Sequence, residues 1–241
     1  MSANAVKELA PSGVLRAAIN MSNFLLVSGR SHAGEPQGVS PDMARAVADK
    51  LGVDVHYVQY ASPGELADDA GNDIWDIGLI GAEPQRAQKI EFSPAYVEIE
   101  STYLVPAGSP LKSVKDVDVA GVRIATTART AYDLWLERNI KHATLIRTTT
   151  VDGAFDAFVE QRLEALAGLR PRLLSDVEKL PGARLLPDQF AAVQQAIGTS
   201  KGRPAAAAFI REFVEEAKAT GFVAELIARH EVRGLSVAPK A

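Results

Sequence analysis

The sequence predicts an α/β protein built mostly on parallel sheet, and three observations carry that prediction. Strand-like and helix-like segments alternate almost throughout, the pattern of strands linked by crossover helices. The pattern restarts after Tyr103-Leu104-Val105-Pro106, so the chain reads as two similar halves. No low-complexity linker separates the halves, which implies strands that cross between two lobes.

Val14 to Ile19 reads as the first strand. Ser40-Pro41-Asp42 predicts a helix start with Ser as N-cap and Pro in the first turn, and Gly52 closes it. Met43, Ala44, Val47 and Leu51 fall on one face of that helix. Val53 to Tyr60 is the second strand. Asp76-Ile77-Gly78-Leu79-Ile80-Gly81 is a short apolar run ending in Gly, as expected of a buried central strand. In the second half, Val122 to Thr126 is a strand, and Thr130 caps a helix through Asn139. Thr144 to Arg147 is the next strand. Ala154, Phe155, Phe158 and Val159 mark an apolar helix face, and Leu163 to Leu169 forms a further buried strand. Val193 to Gly198 is extended, and two Ala-rich helices begin near Pro204 and Phe222.

Composition narrows the function. With 241 residues, 47% hydrophobic and 23% charged, the chain can bury a core in one large domain or two lobes of roughly 100 residues each. A net charge of -4 offers no basic stripe for nucleic acid. The absence of Cys removes disulfides, thiolate metal sites and a Cys nucleophile. No apolar run approaches the ~18–20 residues of a membrane span. Met1 to Glu8 has neither a cationic nor an apolar leader region, so a cytoplasmic protein is expected as encoded, or a periplasmic one if a leader has been removed. His32, His56, His142 and His230 are scattered without metal-ligand spacing, and no metal or cofactor is expected. Gly29 to Gly38 lacks the glycine pattern and Lys of a phosphate loop.

An ordered series of motifs covers nearly the whole chain. It runs through Gly13-Val14-Leu15-Arg16, Gly38-Val39-Ser40-Pro41-Asp42-Met43-Ala44, Leu51-Gly52-Val53 and Trp75-Asp76-Ile77. Pro84-Gln85-Arg86-Ala87, Ile90-Glu91-Phe92-Ser93-Pro94-Ala95-Tyr96 and Tyr103 to Ser109 follow, then Gly121-Val122-Arg123-Ile124-Ala125 and the helix after Gly221-Phe222. In this series the sequence resembles the family 3 extracellular solute-binding proteins, the polar amino-acid receptors of ABC importers. That resemblance implies the type II periplasmic-binding fold, two Rossmann-like lobes joined by two hinge crossings. Lobe 1 would be residues 1–104 plus 197–241 and lobe 2 residues 105–196. The crossings would lie near Leu104 to Ala107 and Val193 to Ile197, letting the lobes close on a ligand.

The resemblance also implies site residues. Arg86 matches the family position that clamps a ligand carboxylate, a task suited to a planar fork of donors; the competing reading is a surface Arg at a helix start. Gly81 ends the strand that leads to it. Glu83 stands where small hydroxyl residues are usual, either holding a ligand cation or serving the helix start. Thr130 matches a hydroxyl at a lobe-2 helix N-terminus, where backbone N–H groups favour negative charge. Arg129 replaces a usual Gly and would add an anion contact or decorate the rim. Asn23 and Phe24 follow the first strand, where the family offers an aromatic wall; Phe24 is as readily core. Ala167-Gly168-Leu169-Arg170 places Leu where many relatives carry an ammonium-binding acid, with Arg170 beside it. A carboxylate without an ordinary α-ammonium is therefore the expected ligand, unless Glu83 holds the amine.

The implied function is a solute-binding protein, a transport receptor or sensor and not an enzyme, that closes around a small carboxylate-bearing metabolite. Its partners would be that metabolite and an ABC permease or a cytosolic signalling protein, with the chain itself monomeric. The alternative is an enzyme on the same fold acting on a carboxylated ring, as in cyclohexadienyl dehydratases, with Glu83 as general acid.

Overall fold

The computed structural model describes residues 3–241; Met1 and Ser2, the start of the expected lobe 1, lie outside the described residues. The chain runs α1 (Ala3–Leu9), β1 (Val14–Asn20), β2 (Gly29–Arg30), β3 (Pro36–Gln37), α2 (Val39–Leu51), β4 (Asp54–Tyr60), α3 (Pro63–Asp68) and β5 (Ile77–Gly81). A 3-10 turn, Arg86–Gln88, leads to β6 (Ile90–Phe92) and β7 (Val97–Val105), and a second 3-10 turn, Val114–Asp116, follows. Next come β8 (Arg123–Thr127), α4 (Ala131–Asn139), β9 (Thr144–Thr148), α5 (Val151–Glu160), β10 (Ala165–Leu169), α6 (Arg170–Val177) and β11 (Arg184–Leu185). The last segment is β12 (Ala191–Ser200), α7 (Pro204–Ala219), α8 (Phe222–Arg229) and β13 (Ser236–Val237).

The chain packs as two units. Unit 1 holds residues 3–98 and Gln194–Ala241, and unit 2 holds Ile99–Val193. The chain passes between them within β7 and within β12, the first passage falling at 98/99 instead of the expected 104/105.

In unit 1, β1 lies between two parallel neighbours, pairing Val14 with Asp54 on β4 and Ala17 with Ile77 on β5. β12 runs antiparallel beside β5, with Gln195 opposite Gly81. Both faces are covered, which is why β1 and β5 read as apolar runs without alternation. Ala17, Ile19, Ile77 and Leu79 pack with Met43, Val47, Ile210 and Val214, while Ala18 and Ile80 pack with Leu66 and Trp75. Unit 2 repeats this logic. β8 is parallel to β9 and β10, and β10 is antiparallel to β7. Tyr103, Ile124 and Ala167 share one core with Leu136; Leu104, Ala125 and Leu166 share the other with Phe158 and Leu173.

Two local expectations need correction. Ser40 does not cap α2: the helix starts at Val39 with Gly38 as N-cap, and buried Ser40 bonds the Tyr96 hydroxyl at 2.9 Å. Gly38 sits at φ 141°, and a Cβ there would overlap the Leu26 carbonyl oxygen, so backbone approach sets the helix start. Val159 belongs to the outer surface of α5, 42% exposed, while Ala157 joins Ala154 and Phe158 inside.

Candidate functional site

In unit 1 the chain leaves the buried β5 strand at Gly81 and makes one helical turn. Ala82 N–H donates to the Gln194 carbonyl at 2.7 Å, which pins the exit, and Ala87 N–H donates to the Glu83 carbonyl at 2.9 Å. Arg86 then turns back, and its Nη1 donates to the Gly81 carbonyl at 2.8 Å. The guanidinium is held at the C-terminal end of the central strand, the end where open α/β sheets bind ligands. Arg86 is 6% exposed and Glu83 is 9% exposed. The surface-Arg reading is therefore excluded on burial. Spaced i, i+3 on one helical turn, the two charged side chains share a face.

The other unit 1 candidates differ in character. Asn23 is buried, and its Oδ1 accepts from Leu25 N–H at 3.2 Å, forming an Asx turn. Its carbonyl also receives the N–H groups of Leu26 and Val27. Asn23 thus shapes the loop after β1. Phe24 is 46% exposed, which rules out the core reading and presents an aromatic face.

In unit 2 the parallel register of β8 and β9, with Thr127 opposite Thr148, brings the starts of α4 and α5 to the same end of the sheet. Thr130 caps α4, accepting from Asp133 N–H at 3.3 Å and donating to the Thr127 carbonyl at 2.8 Å. Thr150 caps α5 in the same way, accepting from Gly153 N–H at 3.0 Å. The first-turn N–H groups of Ala131 and Tyr132 have no carbonyl within the helix to receive them, the usual basis of an anion site. Burial raises the pKa of the Tyr132 hydroxyl, against the opposing hydrogen bonds with Thr127 and Thr130. Thr126, just upstream, carries a fully buried hydroxyl with no hydrogen-bond partner.

Two features of unit 2 were invisible in the sequence. Asp133, 3% exposed, accepts from Arg129 N–H at 2.9 Å and from Arg147 Nε at 2.9 Å. A carboxylate of the chain's own therefore already offsets part of the positive helix start. Arg129 adopts φ 63°, a left-handed conformation that costs a non-glycine residue roughly 1–2 kcal/mol. Arg170 has a different task from the one expected. Its Nε donates to Glu100 at 2.6 Å, and its Nη2 donates to the Pro187 and Asp188 carbonyls at 2.9 and 3.1 Å. The guanidinium fastens residues 186–188 to β7.

Among the described residues no group of three or more His, Asp or Glu is placed to hold a metal ion. No described helix is long and apolar enough to cross a membrane.

Known structures share this fold. An amino acid ABC transporter substrate-binding protein from Streptococcus pneumoniae bound to L-arginine matches at 20% identity and a TM-score of 0.74, over 97% of this chain and 99% of that one. An ancestral arginine-binding protein bound to glutamine matches at 19% identity and 0.71, over 92% and 99%. An ancestral amino acid-binding protein described as a precursor of cyclohexadienyl dehydratase matches at 20% identity and 0.74, over 93% and 98%. Among curated protein sequences none is a significant match. At these identities the structures establish the type II periplasmic-binding fold and nothing of the ligand. The family model for bacterial extracellular solute-binding proteins, family 3, matches residues 20–231, and the chain belongs to that family.

Proposed function

We propose that this protein binds a small polar solute bearing a carboxylate, an amino acid or a related organic acid, and serves as a transport receptor or sensor without transforming it. The observation that carries this reading is Arg86, a guanidinium buried to 6% at the end of the central strand and held there by the Gly81 carbonyl. Fully desolvated Arg suits a carboxylate because two parallel N–H donors match its two oxygens. Within unit 1 exposed Phe24 adds an aromatic face, and unit 2 has an anion-favouring helix end of its own at Thr130 and the start of α4, with Arg129 beside it. Arg170 acts on this reading as a support for its loop. The neighbours whose names record arginine and glutamine make amino acids the first solutes to test.

A thermal-shift panel of L-amino acids and dicarboxylates, followed by small-angle scattering on each hit, tests the proposal. The expected result is a raised Tm and a smaller radius of gyration with at least one solute. A panel in which nothing raises the Tm overturns it. An ABC permease is the proposed macromolecular partner, and a monomer in size-exclusion chromatography is expected.

A second reading, an enzyme acting on a carboxylated ring with Glu83 as general acid, draws on the dehydratase-precursor neighbour and on the burial of Glu83. Incubation with prephenate or arogenate is expected to yield no product, and product formation abolished by Glu83→Gln would establish the enzyme instead.

A further inference from the structure

Taken unit by unit, the charged candidates differ from those the sequence suggested. Arg170, counted in sequence as a cation near the site, is engaged with Glu100 and the carbonyls of residues 187 and 188. Asp133, not counted at all, is a buried acid at the start of α4, in contact with Arg129 N–H and Arg147. Asp133 brings Arg147 as its own counter-charge and the pair adds no net charge, so only the engagement of Arg170 weakens the case for a purely anionic solute.

What remains at the end of β5 is one acid and one base on one turn. Glu83 and Arg86 are both more than nine-tenths buried, and the Ala87-to-Glu83 backbone hydrogen bond sets them at i, i+3 on the same helical face. A buried carboxylate is tolerated only in the company of cations, and a buried guanidinium only in that of anions. Such a turn is electrically neutral. It matches a solute head that is also neutral overall but carries both signs on adjacent atoms.

From this we propose that Glu83 is the ammonium-binding residue, so that one turn of unit 1 holds both ends of an α-amino acid head, the carboxylate at Arg86 and the amine at Glu83. This rests on the reading above that Arg86 binds a carboxylate, and it adds the specificity of the site for amines. Leu169, at the end of β10, has an apolar side chain and offers an amine no carboxylate.

Isothermal calorimetry with matched pairs tests the assignment: L-glutamine against 4-carbamoylbutanoate, and L-arginine against 5-guanidinopentanoate, each pair differing only in the α-amine. Wild-type protein is expected to bind at least one amino acid 30-fold or more tighter than its des-amino partner. Removing one partner of a desolvated charged hydrogen bond costs that much or more. Glu83→Gln, isosteric and checked by circular dichroism, is expected to lose the same factor for the amino acid while holding the des-amino compound within threefold. Glu83→Asp, which keeps the charge, retains the preference for the amine. The assignment is overturned if wild type binds both members of each pair within threefold. It is equally overturned if Glu83→Gln keeps its amino-acid affinity while Arg86→Ala abolishes it. Should no probe bind wild type, or Arg86→Ala change nothing, the carboxylate-site reading itself fails and takes this assignment with it.

Discussion

Replacing Asp76 with Ala should destabilise unit 1 by about 3 kcal/mol, although Asp76 touches no candidate ligand residue. The side chain is 0% exposed. Its Oδ2 accepts from Arg16 N–H at 2.9 Å and from Arg16 Nε at 3.0 Å. Its Oδ1 accepts from Arg16 Nη2 at 2.8 Å and Arg203 Nη1 at 3.3 Å, so one carboxylate joins the start of β1 to the start of α7. The hydrogen bond to Asp76 is also the main force that raises the Arg16 pKa above its usual value. Breaking a buried ion pair from one side costs about 3–5 kcal/mol. The low end applies because the Arg16 and Arg203 side chains stay 27% and 23% exposed and keep Asp73 as a partner. For a domain of this size, ~3 kcal/mol corresponds to a drop in Tm of roughly 6–12 °C. Tryptophan fluorescence can follow this in unit 1 alone. The chain has two Trp, Trp75 buried in unit 1 and Trp135 on α4 in unit 2, so a Trp135→Phe background isolates Trp75. A shift below about 2 °C in the Trp75 transition would show that the Asp76 network contributes little beyond what solvent supplies.

Other consequences can be measured with the same tools. Thr130→Ala should cost unit 2 about 1 kcal/mol through loss of the α4 cap, with Thr130→Ser close to wild type, both read from Trp135 fluorescence on denaturation. Gly198→Ala should cost roughly 1–3 kcal/mol, because its Cβ would overlap Ile90 Cγ2 and press on the Phe92 ring; an unchanged Tm would mean that β6 shifts freely. The hydrogen bond from Arg123 holds the Glu164 pKa below its usual value. Its contribution to stability is therefore present above about pH 4.5 and lost as pH falls through the lower folded pKa. Glu164→Gln should flatten the pH dependence of the unit 2 transition in that acid range, and an unaltered slope would refute it. Arg170→Ala should speed hydrogen exchange at residues 186–190 while leaving solute affinity within threefold; a tenfold loss of affinity would return Arg170 to the binding site.

Much of the fold could be read from periodicity because the central strands of each unit are covered on both faces. Short apolar runs such as Ile77 to Gly81 and Leu163 to Leu169 announce buried strands, and the Thr130 cap announces α4 through local chemistry alone. The Arg86 turn was legible for the same reason, since strand, turn and guanidinium are consecutive. What could not be read was long-range pairing. Asp133 meets Arg147 and Arg170 meets residues 186–188 only after folding, and no local pattern distinguishes a paired arginine from one available to a solute. Ser40 shows a subtler limit. Its residue type is right for a cap, but the close approach of Gly38 to Leu26 fixes the helix start two residues earlier.

Binding of L-arginine and L-glutamine to wild type and Arg86→Ala, measured by calorimetry at matched protein folding, tests the central claim most directly. The buried guanidinium predicts that whichever of the two binds wild type loses roughly 30- to 5,000-fold in affinity when Arg86 is truncated. An affinity retained within threefold would contradict it and place the carboxylate elsewhere.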